Sequence, residues 1–265
     1  MWFSEQVRPG VWVGFTDTTA GNLAFHVGDE HAAVTRRRAA LESELAALGN
    51  SAAGVHLAYM NQVHGADVAI PARHEPGVGH PQHDVPTADA MVSQDGALAV
   101  MVADCVPVVL VGENSGGAPV LAVAHAGRPG VERGVVAAVV ARMRDAGARG
   151  IEAWLGPSIC GQCYEVPEAM RAAVAAVVPE AYATTSWHTP ALDLPAAVLA
   201  QLAADGVQAH PAGVCTLEDP RFFSHRRAVR DGEAEGRFIG FATAASTVTA
   251  DLSETIGKQS QYDRP

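Results

Sequence analysis

Short apolar runs separated by polar punctuation dominate the chain, and the densest series lies between residues 87 and 130. Residues 97–103, the run that follows Pro107, and residues 120–124 are each rich in Val or Ala and bounded by Gly, Pro or Asp. Continuous apolar runs of this length read as strands buried on both faces. Alternation in Val11-Trp12-Val13-Gly14-Phe15-Thr16 predicts an earlier strand, residues 151–155 a later one, and residues 236–241 the last. Helical spacing appears at 34–48, where Val34, Leu41, Leu45 and Leu48 share a stripe that Gly49 stops. It recurs at 131–146 behind a Pro-Gly turn, at 167–178, and at 194–204 after Asp193. The segment 222–227 reads as an edge strand or a pocket wall. Strands and helices mix without regular βαβ alternation, and no Gly-x-Gly-x-x-Gly follows the first strand, which argues against a doubly wound nucleotide fold. An α/β fold with mixed sheets is expected, as one domain over residues 1–250 with a polar tail at 251–265.

Composition narrows the function classes. With 48% hydrophobic and 18% charged residues the chain has the makings of a sizeable core, and its net charge of -11 disfavours non-specific polyanion binding. No nucleic-acid partner is expected. Of the dense basic runs, Arg36-Arg37-Arg38 falls on a predicted helix as a solvated face, and Arg226-Arg227 falls near the candidate chemistry. No segment has the length and apolarity of a membrane span, and residues 1–6 lack the charged start and apolar core of a signal peptide. The expectation is a cytoplasmic protein without membrane insertion, as a monomer or homodimer. Four cysteines in a chain of 265 residues do not make a small-domain disulfide framework, so they read as free thiols or ligands.

Two of the apolar runs end or break at a residue able to bind a metal or act as a nucleophile, Cys105 and His125, and His64 ends a half-apolar segment of its own. Two imidazoles and a thiolate with a fourth position left open is the ligand count of a catalytic zinc site. A lone buried Cys is as readily a small hydrophobe, and a thiolate beside an imidazole is the minimal pair of a metal-free cysteine hydrolase. Asp104 and Asp89 are the nearest candidates for proton transfer or for anchoring a ligand. The turn at Gly127-Arg128-Pro129-Gly130, between strand and helix, offers backbone N–H groups to an anion such as phosphate. Cys160-Gly161-Gln162-Cys163 lacks a second pair for a zinc knuckle and the strand–helix context of a redox centre, so Cys160 reads as a bystander. His74, His80 and His83 read as exposed loop residues that bind metal only adventitiously.

The wording around these residues is more specific. Asn61-Gln62-Val63-His64-Gly65, Ala88-Asp89-Ala90-Met91-Val92, Ala103-Asp104-Cys105-Val106-Pro107, Ala124-His125-Ala126-Gly127, and Gly156-Pro157-Ser158 with Cys163-Tyr164-Glu165-Val166 resemble, in order, the signature blocks of the laccase-domain family. Cys215-Thr216 and Phe222-Phe223-Ser224-His225-Arg226-Arg227 extend the resemblance over nearly the whole chain. Two departures stand out. No arginine lies between Phe15 and Phe25, and Arg128-Pro129-Gly130 replaces the usual Trp-Arg-Gly.

The resemblance implies a layered sandwich of mixed β-sheets flanked by helices, similar to a cysteine-hydrolase-like fold. It implies a zinc ion on His64, Cys105 and His125, with copper less favoured, and Asp104 among the catalytic residues. Substrate contacts would come from Asn61, Gln62, Asp89 and Arg128 on one side. Cys163, Tyr164, Phe223, Arg226 and Arg227 would supply the other. The activity implied is phosphorolysis of purine nucleosides (adenosine, inosine, methylthioadenosine), with zinc-assisted deamination of adenosine alongside. The alternatives are a cysteine-type hydrolase editing peptidoglycan precursors and a non-catalytic partner in envelope synthesis. A copper polyphenol oxidase fits least, because multicopper sites need many more clustered histidines.

Overall fold

The computed structural model describes residues 1–51, 54–72 and 85–244. The expected tail and the loop histidines His74, His80 and His83 fall outside these residues. The first half of the chain forms β1 (Phe3–Arg8), β2 (Val11–Phe15), α1 (His31–Leu48), β3 (Leu57–Ala58), β4 (Val68–Ala69), β5 (Ala90–Ser93), β6 (Ala97–Val102), β7 (Val106–Glu113) and β8 (Pro119–Ala126). The second half forms α2 (Arg128–Glu132), α3 (Val135–Asp145), β9 (Arg149–Leu155), α4 (Glu168–Val177), β10 (Tyr182–Thr184), β11 (Pro190–Leu192), α5 (Leu194–Ala204), β12 (Gln208–Pro211), α6 (His225–Asp231) and β13 (Phe238–Ala244).

Two sheets carry the architecture, a five-stranded one in the order β1-β2-β13-β6-β3 and a six-stranded one in the order β12-β9-β7-β8-β5-β4. Both are mixed: β6 pairs antiparallel with β13 but parallel with β3, and β9 pairs antiparallel with β7 but parallel with β12. The unbroken apolar runs follow from burial on both sides of each sheet. Successive side chains of a strand point to opposite faces. Val109, Val111, Leu121 and Val123 therefore meet Leu98, Val100, Val13 and Phe15 between the sheets. Their neighbours Val108, Leu110, Ala122 and Ala124 pack outward with Val136, Val140 and Met143 of α3 and with Leu194 and Val198 of α5. On the far side of the five-stranded sheet, Ala99, Met101, Ile239 and Phe241 pack with Leu41 and Leu45 of α1. The result is helix, sheet, sheet, helix. Each buried Val or Leu contributes on the order of 1.5–3 kcal/mol over leaving it in water.

Three local expectations change. β1 is an additional strand whose Glu5 and Gln6 stay exposed at the sheet edge, which gives it no apolar signature. The helix expected at 131–146 is two helices broken at Gly134, whose φ of 79° ends the first turn, and the first already starts at Arg128 behind Gly127. Pro129 thus sits in the opening turn of a helix, where its missing N–H costs nothing. Residues 222–227 are not an edge strand: α6 begins at His225, with the Ser224 hydroxyl accepting from the Arg227 N–H at 3.1 Å. Among the described residues, no helix is long and apolar enough to cross a membrane.

Candidate metal centre

The register of β7 and β8 places Pro107 opposite His125, so Cys105, just before β7, emerges at the same end of the six-stranded sheet as His125. His64 arrives there on the connection from β3 to β4. The donor atoms of His64, Cys105 and His125 all lie within 4.8 Å of one another. Cys105 Sγ is 3.8 Å from His64 Nε2, and the two imidazoles meet edge to face with centroids 4.6 Å apart. Gly127 makes this closeness possible. A Cβ there would stand 2.6 Å from His64 Cδ2 and 3.1 Å from Cys105 Sγ.

One buried carboxylate organises two of the three ligands. Asp89 Oδ1 accepts from His125 Nδ1 at 2.8 Å and from the His64 backbone N–H at 2.9 Å; Oδ2 accepts from the N–H groups of Gly65 at 2.6 Å and Val63 at 3.2 Å. Binding His125 through Nδ1–H fixes its tautomer and leaves the Nε2 lone pair for a metal, the usual role of a carboxylate behind a ligating imidazole. The backbone bonds hold His64 at a φ of 59°, in the left-handed region. Gln62 secures the same loop from the other side. Its Nε2 donates to Met101 O at 2.7 Å and its Oε1 accepts from Met101 N–H at 2.9 Å, so the amide continues the ladder at the edge of β6.

Burial by itself disfavours a charged Cys105. The charge of His125 beside it, then hydrogen bonds from His125 and His64, override this and bring the thiol down to about 6. Burial likewise disfavours a charged His125, but the Cys105 thiolate, then Asp89, hold it up at about 9. Without a metal the pair is therefore a thiolate and an imidazolium. With one, thiolate and a neutral Nε2 are already positioned to ligate, so the three donors could hold a metal ion.

The remaining expected residues divide into two groups. Tyr164 lies close to Cys105 with Arg128 and Arg226 around it. Burial first, then Cys105, raises its phenol, and the two guanidinium groups act the other way. Arg226 sits 5.2 Å from the Tyr164 ring centroid and donates to Glu165 O at 3.0 Å; Arg128 pairs with Glu132 at 2.7 Å. Asn61, exposed, donates to the Thr87 hydroxyl at 3.2 Å.

The second group is committed to the scaffold. Asp89 is fully buried and the Gln62 amide bonds Met101 at both its atoms, so both position the His64 loop. Asp104, at a φ of 84°, accepts from the Thr216 hydroxyl at 2.6 Å and from the Arg226 backbone N–H at 2.7 Å. It anchors the start of α6. Arg227 donates to the carbonyls of Thr216 at 2.7 Å and Phe222 at 2.6 Å and pairs with Glu233, which closes a loop. Phe223 is half-buried over Gly236 and packs against the inter-sheet core. Cys163 is buried, and its neighbours are Cys160, Cys215 and Glu218. Cys160 thus stands in one cluster with three other donor residues. Of the residues missed in the sequence, Thr216 and Gly127 sit inside the recognised blocks, and Glu218 had no motif to mark it.

Comparison with known proteins adds to this geometry. A family model described as "Multi-copper polyphenol oxidoreductase laccase" matches residues 10–245. A Streptomyces coelicolor protein named purine nucleoside phosphorylase is 47% identical over 243 residues, covering 86% of this chain and 94% of its own. A protein of the same name from Streptomyces griseus is 44% identical, covering 85% and 89%. Among solved structures, YlmD from Geobacillus stearothermophilus superposes with a TM-score of 0.74 at 28% identity, over 92% of this chain and 99% of that one. The hypothetical protein YfiH of Bacillus licheniformis shares the fold at a TM-score of 0.71 and 23% identity, over 91% and 98%.

Proposed function

The chain belongs to the laccase-domain family, and from that premise we propose that it is a zinc-dependent purine nucleoside phosphorylase with an adenosine deaminase side activity. The observation that carries the reading is the three-donor cluster of His64, Cys105 and His125, oriented by Asp89 and flanked by Tyr164, Arg128 and Arg226. The relatives named purine nucleoside phosphorylase supply the reaction class. A zinc ion on the three donors would supply a Lewis acid with an open position beside the substrate. A multicopper oxidase needs further imidazoles; among the described residues, the other metal-competent group contains no histidine.

In phosphorolysis a phosphate oxygen forms a bond to the ribose anomeric carbon as the bond to the purine nitrogen breaks. The bonding electrons leave with the base, which takes up a proton, and the products are free purine and ribose 1-phosphate. Arg128 and Arg226 supply positive charge where the anion must sit. Each guanidinium has five N–H groups, so their protein contacts leave donors over. Tyr164 offers a flat wall for base or sugar. Losing one charge-assisted contact costs about 1.5–3 kcal/mol, roughly 10- to 150-fold in affinity. The missing arginine after Phe15 thus predicts a weak phosphate dependence instead of none.

Incubation of the protein with adenosine, with and without phosphate, followed by chromatography of adenine, inosine and hypoxanthine, tests the proposal. Adenine formation that rises with phosphate is expected, with some inosine. Product no greater than that of Cys105→Ser at millimolar substrate and phosphate would reject it. One observation favours a second reading. Asp89, His125 and Cys105 form a carboxylate–imidazole–thiolate series suited to acyl transfer without a metal. In that case chelator-stripped protein cleaves amide or ester substrates, such as cell-wall precursors, and leaves nucleosides untouched.

A further inference from the structure

Away from the His64 cluster, four further donor atoms converge. The sulfurs of Cys160, Cys163 and Cys215 and a carboxylate oxygen of Glu218 all lie within 4.8 Å of one another, and the three cysteines are free thiols. We propose that these residues form a second, structural zinc site that clamps together the two loops behind the candidate active site. The proposal is independent of the reaction assigned to the first site.

The donors come from two turns of the same design. In the first, the Cys160 carbonyl accepts from Cys163 N–H at 3.0 Å and from Tyr164 N–H at 2.9 Å, which turns the side chains at spacing three to one side. In the second, the Cys215 carbonyl accepts from Asp219 N–H at 3.0 Å, and Cys215 and Glu218 stand at the same spacing. Zinc knuckles use such paired turns. Here the partner of Cys-x-x-Cys is Cys-x-x-Glu, with a carboxylate as one ligand. A short parallel bridge between Ser158 and Cys215 fixes the turns against each other, with Ser158 N–H donating to Val214 O and Thr216 N–H to Ser158 O, each at 3.1 Å. The Cys160 N–H points at Cys215 Sγ from 3.5 Å, a contact that stabilises a thiolate.

Ligand chemistry selects the ion. Three soft thiolates exclude calcium and magnesium, which take oxygen, and four donors without an open place describe a structural zinc site. Zinc–sulfur bonds of about 2.3 Å in a tetrahedron put the sulfurs about 3.8 Å apart, so the donors need only contract by side-chain rotation. A filled site would brace the neighbouring pocket through two covalent neighbours. Tyr164 follows Cys163, and Thr216, which follows Cys215, holds Asp104 and through it the Arg226 backbone.

The test is metal content of the full chain, loaded with zinc, freed of excess by gel filtration and measured by mass spectrometry. The wild type is expected to retain about two zinc ions per chain, and the Cys160→Ser/Cys163→Ser double variant about one. Cys105→Ser also retains about one, and the combined variant none. Retention of the first ion by the double variant shows that it is folded. Because Glu218 is exposed, Glu218→Gln should fold normally and lose its second zinc faster to a chelator. Cobalt-loaded Cys105→Ser should show the charge-transfer absorbance of several thiolates. A Cys105→Ser variant that holds no zinc, a Cys160→Ser/Cys163→Ser variant that keeps as much zinc as the wild type, or thiol counts that reveal a disulfide within the cluster would each overturn the proposal.

Discussion

Replacing Asp89 by Asn changes one atom and tests whether this carboxylate organises the metal centre. Four N–H groups now point at its two oxygens, two at each. An amide has one oxygen, so either orientation turns an NH2 group toward two donors. If the nitrogen faces Gly65 and Val63, those backbone donors are stranded and the His64 loop loosens. If it faces His125, the imidazole must move its proton to Nε2 to accept at Nδ1, and the lone pair for the metal is lost. Two stranded buried donors at about 1–3 kcal/mol each amount to about 2–6 kcal/mol. For a chain of this size that is a melting point lower by at least about 4 °C. Zinc affinity should fall about 10- to 100-fold, as for other carboxylates behind ligating histidines. Calorimetry and a competition titration with a chromophoric chelator read the two effects, with exposed Asn61→Ala as the control. A variant that melts within about 1 °C of wild type and holds zinc equally well would refute the reasoning, since stranded donors at this depth cannot be silent.

Gly127→Ala separates geometry from stability. Its backbone φ of -77° accepts any residue, so the new methyl acts only by displacing His64 and Cys105; zinc affinity should drop while the melting point stays nearly constant, and unchanged affinity would contradict the packing. In chelator-stripped protein, alkylation of Cys105, followed by peptide mapping, should rise with a midpoint near the thiol value of about 6. A midpoint close to the ordinary value of 9.0 would remove the thiolate–imidazolium pair. The pair's contribution to stability has two parts. The lowered thiol contributes above its unfolded value and loses that as pH falls through about 6. The raised imidazole contributes below 6.5 and loses that as pH rises through about 9; the two contributions run in opposite senses over nearly the same range, so denaturant melts of the stripped protein should show little net change from this pair between about 6 and 9.

The apolar runs made β6, β7 and β8 legible because burial on both faces leaves no polar alternation to misread. β1 was not legible, since an edge strand exposing Glu5 and Gln6 carries almost no apolar period. α6 was missed for another reason. Its N-cap, Ser224, is a local mark, but the second support of its start comes from Asp104, a residue 122 positions from Arg226, and that contact leaves no trace in the neighbouring sequence. The same limit applies around the metal centre. The donor residues His64, Cys105 and His125 could be singled out by chemical type. That Asp89 and Gln62 hold the His64 loop depends on partners 24 to 39 positions away in the chain. Glu218 shows the limit most plainly: an exposed acidic residue is ordinary until the turn beside it faces three thiols.

The loop that carries His64 is moored to both sheets, to β6 of one through Gln62 and, through Asp89, to the start of β5 in the other. His125 lies within β8 of the second sheet, whereas Cys105 stands on the short crossing from β6 of the first sheet to β7 of the second. Two of the three donors are therefore carried on links between the sheets, and their distance from His125 is gauged by how far apart the sheets ride. Filling or hollowing the layer between them, at Val100, Val109 or Val123, would act on the cluster as a set-screw does on a jaw. A change in the interior of the sandwich would thus be felt at the cluster with all three donor residues left as they are.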